Sequence, residues 1–166
     1  MRIVALSGSL DPASSNTALI RALSSIGAPD HVAVWEGVGE LPHFRPDGEA
    51  TDPVQDLRRA VASADVVVIA TPEYAGGMPG SLKNALDWLV GSGELYGKPV
   101  VVISAAPSVD RGGNARRWVE DVTRMQGATV LDSFTIALGR RAPAAEIAEQ
   151  TRTVLDRIRA AHASAS

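Results

Sequence analysis

Three stretches of the chain are continuously apolar and end at small polar residues: 3–6, 66–70 and 100–103. Apolar runs without polar alternation are typical of strands that are buried on both faces, as in a parallel sheet covered by helices. Two further stretches, 31–35 and 129–136, alternate partly between apolar and polar residues. We predict five strands, and we expect the two alternating ones to lie at the edges of the sheet.

Helical periodicity fills the segments between these strands. Apolar residues recur there three or four positions apart, and Ser, Asp and Pro at the starts favour helix N-termini. Five helices are predicted. The first, second, third and fifth begin at 14–16, 52, 79 and 143, and the third is predicted to run to Val90. The fourth has its apolar residues between 115 and 125 and stops at Gly127. Five strands alternating with five helices predict an α/β fold, an open doubly wound parallel sheet of order 2-1-3-4-5 with helices on both faces.

Composition narrows the function classes. The length fits a single domain over 1–166, with 41–51 as its longest loop and a frayed end at 163–166. The chain has no Cys, which excludes disulfide scaffolds and thiolate chemistry, and its three His are too far apart to suggest a metal site. A net charge of −3 without a Lys/Arg run argues against nucleic acid binding. No apolar run suits a signal peptide or a membrane span, so a cytoplasmic protein without a membrane partner is expected.

Ligands of such sheets bind beyond the carboxyl ends of the strands, where the strand order reverses. The segments after strands 1, 3 and 4 converge at that point: 7–16, 71–80 and 104–114. The first is rich in Ser and leads into a helix, which favours a phosphate cradle, although a plain capped turn explains it equally well. It has neither a dinucleotide fingerprint nor a Walker loop.

The other two segments are rich in Gly and Pro. In 71–80, glycine backbone would allow a flat ligand to approach closely and Tyr74 could stack on a ring. In 104–114, a Gly pair before a helix could cover the other side of such a ring. Both segments also fit ordinary turns and flexible loops, so the residues alone leave these alternatives open.

Several residue groups in these segments occur together in one known family. They are Gly8-Ser9-Leu10, Ser14 and Asn16, then Thr71-Pro72-Glu73-Tyr74, Pro79-Gly80, Leu82-Lys83-Asn84-Ala85 and Asp87-Trp88, and finally Gly112-Gly113 and Arg116. In this combination the chain resembles the NADPH-dependent FMN reductase family from the first strand to the fourth helix. The resemblance implies a flavodoxin-like fold, bound FMN, and a homodimer or homotetramer with the third helix and Trp88 at the subunit interface.

The resemblance also implies roles for individual residues. It places Ser9, Ser14 and Asn16, with Ser15 beside them, at the FMN phosphate. It places Pro72, Glu73, Tyr74 and Ala75 along the isoalloxazine ring, and Ser104, Gly112 and Gly113 on the ring's far side. No catalytic side chain is required by this chemistry, and Glu73 is expected to brace its loop rather than to act as an acid or base.

The activity implied is the reduction of a quinone, an azo compound, a free flavin or a similar small acceptor by NADPH or NADH through bound FMN. Two positions depart from the family pattern, because Asp11 stands where the family usually has Arg and Ala75 where it usually has Asn. Arg111, Arg116 or an Arg of a second subunit would have to supply the missing cation. Two alternatives follow: an electron carrier without NAD(P)H activity, or a family member without flavin that acts as an interaction protein.

Overall fold

The computed structural model describes residues 1–165 of the chain, and Ser166 lies outside the described residues. Within 1–165, five parallel strands form one sheet in the order β2-β1-β3-β4-β5, which confirms the predicted topology. The strands are β1 (Arg2–Ser7), β2 (His31–Trp35), β3 (Val66–Ala70), β4 (Pro99–Ala106) and β5 (Thr129–Ala137). The helices are α1 (Ser15–Ile26), α2 (Asp52–Ser63), α3 (Gly80–Asp87), α4 (Gly113–Met125) and α5 (Ala144–Ala165), with a short 3-10 turn at Gly37–Gly39.

Apolar side chains pack on both faces of the sheet. Along β1, Val4 and Leu6 join the core under α2 and α3, while Ile3 and Ala5 join the core under α1 and α5. Every residue of β3 is buried, as a continuous apolar run predicts for the centre of a parallel sheet. The outer strands β2 and β5 are only partly buried, so the prediction that they are edge strands is confirmed.

The third helix is shorter than the sequence predicts, because α3 ends at Asp87 and not at Val90. After Asp87 the backbone hydrogen bonds join residues three positions apart instead of four: the Val90 N–H donates to Asp87 O. Trp88 caps the helix and is buried: its indole N–H donates to Pro42 O over 2.8 Å, and Phe44 packs edge-on against its ring. The prediction that Trp88 contacts another subunit is therefore wrong, since its ring is enclosed within this chain.

Two predictions concern irregular parts of the chain. Residues 41–51 form the expected loop without helix or strand. Fraying was expected for 163–166; α5 continues through 163–165, and Ser166 lies outside the described residues. No helix within residues 1–165 has the length and apolar character needed to cross a membrane.

Candidate functional site

The loop between β1 and α1 begins the candidate site. Ser14 is the N-cap of α1, and its Oγ accepts the Asn16 N–H over 3.2 Å, as expected of a Ser at a helix start. Ser9 is buried and shares a 3.3 Å hydrogen bond between its hydroxyl and that of Tyr74. This contact ties the first segment to the second.

Asn16 joins the first segment to the third. Its Oδ1 accepts the Ala105 N–H over 2.8 Å and its Nδ2 donates to Ala105 O over 3.1 Å. Asn16 is only 2% exposed, and both polar atoms of its amide have a partner inside the protein. The side chain of Asn16 therefore fixes α1 against β4 at the edge of the site.

An arginine from the other end of the chain lies at this loop. Arg140, in the turn after β5, donates from Nη2 to Asp11 Oδ2 over 2.7 Å. The same turn is attached to α1, because Ser15 Oγ donates to Gly139 O over 2.9 Å. Asp11 also accepts the Ala13 N–H with its other carboxylate oxygen, so each of its oxygens has a partner.

Arg140 was not among the cations predicted from the sequence, which were Arg111, Arg116 or an Arg of a second subunit. Arg116 points to β5, where it donates to Ser133 and Thr135, and burial lowers the pKa of its guanidinium. Arg111 lines the opposite end of the site. No local pattern marks Arg140, because it is 129 positions from its partner in the sequence.

The segment after β3 forms a tight turn. Tyr74 and Gly77 exchange backbone hydrogen bonds of 2.9 and 3.0 Å around Ala75 and Gly76. Both central residues have positive φ, 49° at Ala75 and 78° at Gly76. The ring of Trp118 on α4 lies so close to Gly77 that a Cβ there would come within 2.8 Å of it. The turn is thus held between Ser9 and α4.

The segment after β4 closes the other side of the site. Ser104 is buried and its Oγ donates to Thr71 O over 2.8 Å, which joins the ends of β3 and β4. Gly112 is the N-cap of α4 and lies against Ser104 with φ 80°. Glu73 Oε2 accepts the N–H groups of Asn114 and Ala115 at 3.1 and 3.3 Å, so Glu73 caps α4 and braces its loop as expected.

These segments line two adjoining cavities at the carboxyl ends of β1, β3 and β4, which together form the candidate groove. Its larger part, about 550 Å³, includes Pro72, Glu73, Ser104, Gly112 and Gly113 among its walls. The smaller part is about 180 Å³, and its walls include Asp11, Ser14, Ser15, Asn16, Tyr74 and Arg140. Pro72, Ala105 and Pro107 line both parts. Of the predicted site residues, Ser9 and Ala75 lie outside these walls and support Tyr74 and its turn.

The two parts differ in chemistry, and the difference suits FMN. The smaller part offers hydroxyls, a guanidinium and the N-terminus of α1, which are donors for a phosphate. The larger part offers a proline ring and glycine backbone, which suit a flat ring with polar edges. The residues present therefore fit the cofactor that the resemblance implies.

Comparisons with known proteins agree with this chemistry. The family model described as NADPH-dependent FMN reductase matches residues 1–143. A quinone reductase of Escherichia coli (strain K12) is 31% identical over 139 residues, which are 80% of this chain and 74% of that protein. A 2-hydroxy-1,4-benzoquinone reductase of Burkholderia sp is 35% identical over 111 residues, 64% of this chain and 61% of that protein.

A solved structure extends the likeness to the whole fold. The flavoenzyme NAD(P)H:(acceptor) oxidoreductase from Paracoccus denitrificans superposes with a TM-score of 0.78 at 26% identity, and the match covers 97% of this chain and 94% of that one. The family match includes the segments after β1, β3 and β4 that build the groove. The chain therefore belongs to the NADPH-dependent FMN reductase family.

Proposed function

We propose that the domain predicted over 1–166 is an FMN-dependent NAD(P)H oxidoreductase whose preferred acceptor is a quinone. The observation that carries this proposal is the groove of two adjoining cavities, which has phosphate donors at one end and proline and glycine in its wall at the other. FMN and NAD(P)H are the cofactors of this family. When bound, FMN supplies the redox chemistry by exchanging electrons between NAD(P)H and the acceptor.

In this proposal the side chains bind and orient, and none transfers a proton. Ser14 and the N-terminus of α1, including the backbone N–H of Ser15, hold the phosphate, while the buried Ser9 and Asn16 fix the loop that carries them. Tyr74, which shares its hydrogen bond with Ser9, stands at the junction between the phosphate end and the ring end.

The ring end is formed mostly by backbone. Its wall includes Pro72 and Glu73, which lead into the turn at Ala75, together with Ser104, Gly112 and Gly113. Because the Glu73 carboxylate caps α4, the proposal assigns it no role in proton transfer. Quinone is favoured among the acceptors because several similar proteins carry the name quinone reductase.

Titration of the purified protein with FMN, followed by visible absorbance and fluorescence, tests the cofactor. NAD(P)H oxidation is then measured with a benzoquinone, an azo dye or free FMN as acceptor. We expect flavin binding, reduction by NADPH or NADH, and the highest rate with the quinone. Bound flavin that NAD(P)H does not reduce would indicate an electron carrier, and a folded protein that binds no flavin would overturn the proposal.

We also propose a homodimer in which a second copy covers the face between α3 and α4. Tyr96 and Met125 on this face are 83% and 87% exposed, and the half-exposed Trp118 continues the face along α4. Tyr96 and Met125 line a groove of about 630 Å³ that also has Lys83 and Asp87 in its wall. A two-fold axis brings one patch against itself, so apolar residues flanked by both charge signs suit such contacts.

Light scattering after size-exclusion chromatography tests the dimer. We expect a dimer or a larger even assembly, and we expect Met125→Asp to shift it toward the monomer. Val109→Asp is the matched control, because Val109 is also an exposed apolar residue but lies outside this face. A wild-type monomer would overturn the dimer.

The location follows from the electron donor in this proposal. NAD(P)H pools are held inside cells, so we propose the cytoplasm, in agreement with the expectation from the sequence. Cell fractionation with an antibody against the native protein tests this, and recovery in a membrane or secreted fraction would contradict it.

A further inference from the structure

We infer that Arg140 is the cation that pairs with the FMN phosphate, and that Asp11 positions it. The inference rests on the proposed function, since it assigns a residue to the phosphate end of the proposed groove. Arg140 comes from the turn after β5, outside the three segments predicted to form the site.

Arg140 is placed at the phosphate end of the groove. Arg140 lines the same small cavity as Ser14, Ser15 and Asn16 at the start of α1. The turn that carries it is anchored there, because Ser15 Oγ donates to Gly139 O. The guanidinium is thus held beside the N-terminus of a helix, where backbone N–H groups and the helix dipole already favour an anion.

The Arg140 guanidinium has N–H donors beyond the one that binds Asp11. The guanidinium has five N–H donors, and Nη2 donates to Asp11 Oδ2. Its side chain is 66% exposed, so other donors can reach a ligand in the groove. Arginine suits a phosphate because its fork of N–H groups matches two phosphate oxygens.

Asp11 is an anion that would by itself repel a phosphate. One carboxylate oxygen accepts the Ala13 N–H and the other accepts from Arg140, so the charge is paired and directed into the loop. Asp11 then acts as a positioning residue that holds a long, flexible side chain near the phosphate. The Asp11–Arg140 pair places a cation at a loop that carries no Lys or Arg of its own.

The experiment compares FMN with riboflavin, which has the same ring and no phosphate. Dissociation constants for both are measured by fluorescence titration of wild type, Arg140→Gln and Arg141→Gln. Arg141→Gln is the matched control, because it removes the same charge one residue later, and Arg141 lines a different cavity with Leu138 and Ile147. Melting temperatures verify that all three proteins are folded.

We expect Arg140→Gln to weaken FMN binding about tenfold and to leave riboflavin binding almost unchanged, as loss of one charge-assisted hydrogen bond predicts. Arg140→Lys should restore part of the loss, and added salt should weaken FMN binding less in Arg140→Gln than in wild type. An unchanged FMN-to-riboflavin ratio in Arg140→Gln, or an equal loss in Arg141→Gln, overturns the inference while the proposed function stands. If wild type binds neither flavin, the proposed function and this inference both fail.

Discussion

Gly112 lies directly against Ser104 in the wall of the groove. A Cβ at position 112 would come within 2.8 Å of the Ser104 Cβ and would overlap its Oγ. That hydroxyl donates to Thr71 O, so it cannot turn away without losing a buried hydrogen bond. Gly112 also has φ 80°, a conformation that favours glycine. Space and backbone conformation therefore both require glycine at this position.

Gly112→Ala should destabilise the protein and weaken flavin binding. The positive φ costs about 1–2 kcal/mol for a residue with a Cβ, and the overlap adds about 1–3 kcal/mol. Denaturant unfolding measures the first effect and FMN titration the second. Gly91→Ala is the control, because within the described chain a Cβ at that position meets open space and φ is not positive. Equal stability of the two variants would contradict this assignment.

Asn16→Ala should cost roughly 2–4 kcal/mol of unfolding free energy, because the Ala105 N–H and carbonyl would both lose their buried partner. Loss of this link should also loosen α1 against β4 and weaken FMN binding. Chemical denaturation checks stability. Asn114→Ala serves as the comparison, since that side chain is exposed at the start of α4. Wild-type stability of Asn16→Ala would show that the two bonds contribute little.

Glu73→Gln separates bracing from acid–base chemistry. The carboxylate caps α4 through Asn114 and Ala115, so loss of its charge should cost about 0.3–1 kcal/mol through the helix dipole. The turnover rate with NADPH and a quinone should stay close to wild type, and its pH profile should not change. A large loss of turnover with unchanged stability would assign Glu73 a chemical role instead.

The fold was predictable because each strand has a recognisable pattern in its own local sequence. The buried run of β3 and the alternating pattern of β5 each need only neighbouring residues to be recognised. The length of α3 was not predictable, since the apolar spacing continues to Val90 while the helix ends at Asp87. What decides that end is tertiary: Trp88 is held by Pro42 and Phe44 from a distant loop.

The site shows the same division. The three segments were predictable, because a doubly wound sheet brings the carboxyl ends of its central strands together. The hydrogen bonds between the Asn16 amide and Ala105 were not predictable, since nothing near Asn16 in the sequence indicates this partner. The Asp11–Arg140 pair was not predictable either, because it joins a partly buried and an exposed residue that are 129 positions apart in the sequence.

Asp30 makes stability depend on acid pH. Burial raises the pKa of its carboxyl, but hydrogen bonds from Arg159 at 2.8 Å and from the N-terminal amine outweigh burial and lower the pKa below its ordinary value of 3.8. A lowered folded-state pKa contributes stability above the unfolded-state value, and this contribution is lost as pH falls through the folded-state pKa.

Asp30→Asn should therefore be less stable than wild type at neutral pH, by about 1–3 kcal/mol for hydrogen bonds to a charged group. The difference should shrink as pH falls below 3.8, the ordinary pKa of the Asp30 carboxyl. Thermal unfolding at a series of pH values measures it. Asp47→Asn is the control, because the Asp47 side chain is 76% exposed and its pair with Arg45 is a surface contact. A difference that persists unchanged in acid would contradict the charge argument.

Ala75 is a position where the residue usual in the family, Asn, should raise both stability and FMN affinity. Its φ of 49° is unfavourable for Ala, whereas Asn adopts this conformation more readily. Ala75→Asn should therefore raise stability by roughly 0.5–1 kcal/mol and tighten FMN binding by bringing an amide to the ring end. Ala75→Val is the opposite control, because a β-branched residue tolerates positive φ poorly and should destabilise the turn between Tyr74 and Gly77. Thermal unfolding and flavin titration of both variants separate the two effects. If Ala75→Asn melts lower than wild type, the strain argument is wrong, and if it melts higher without tighter FMN binding, only the amide argument fails.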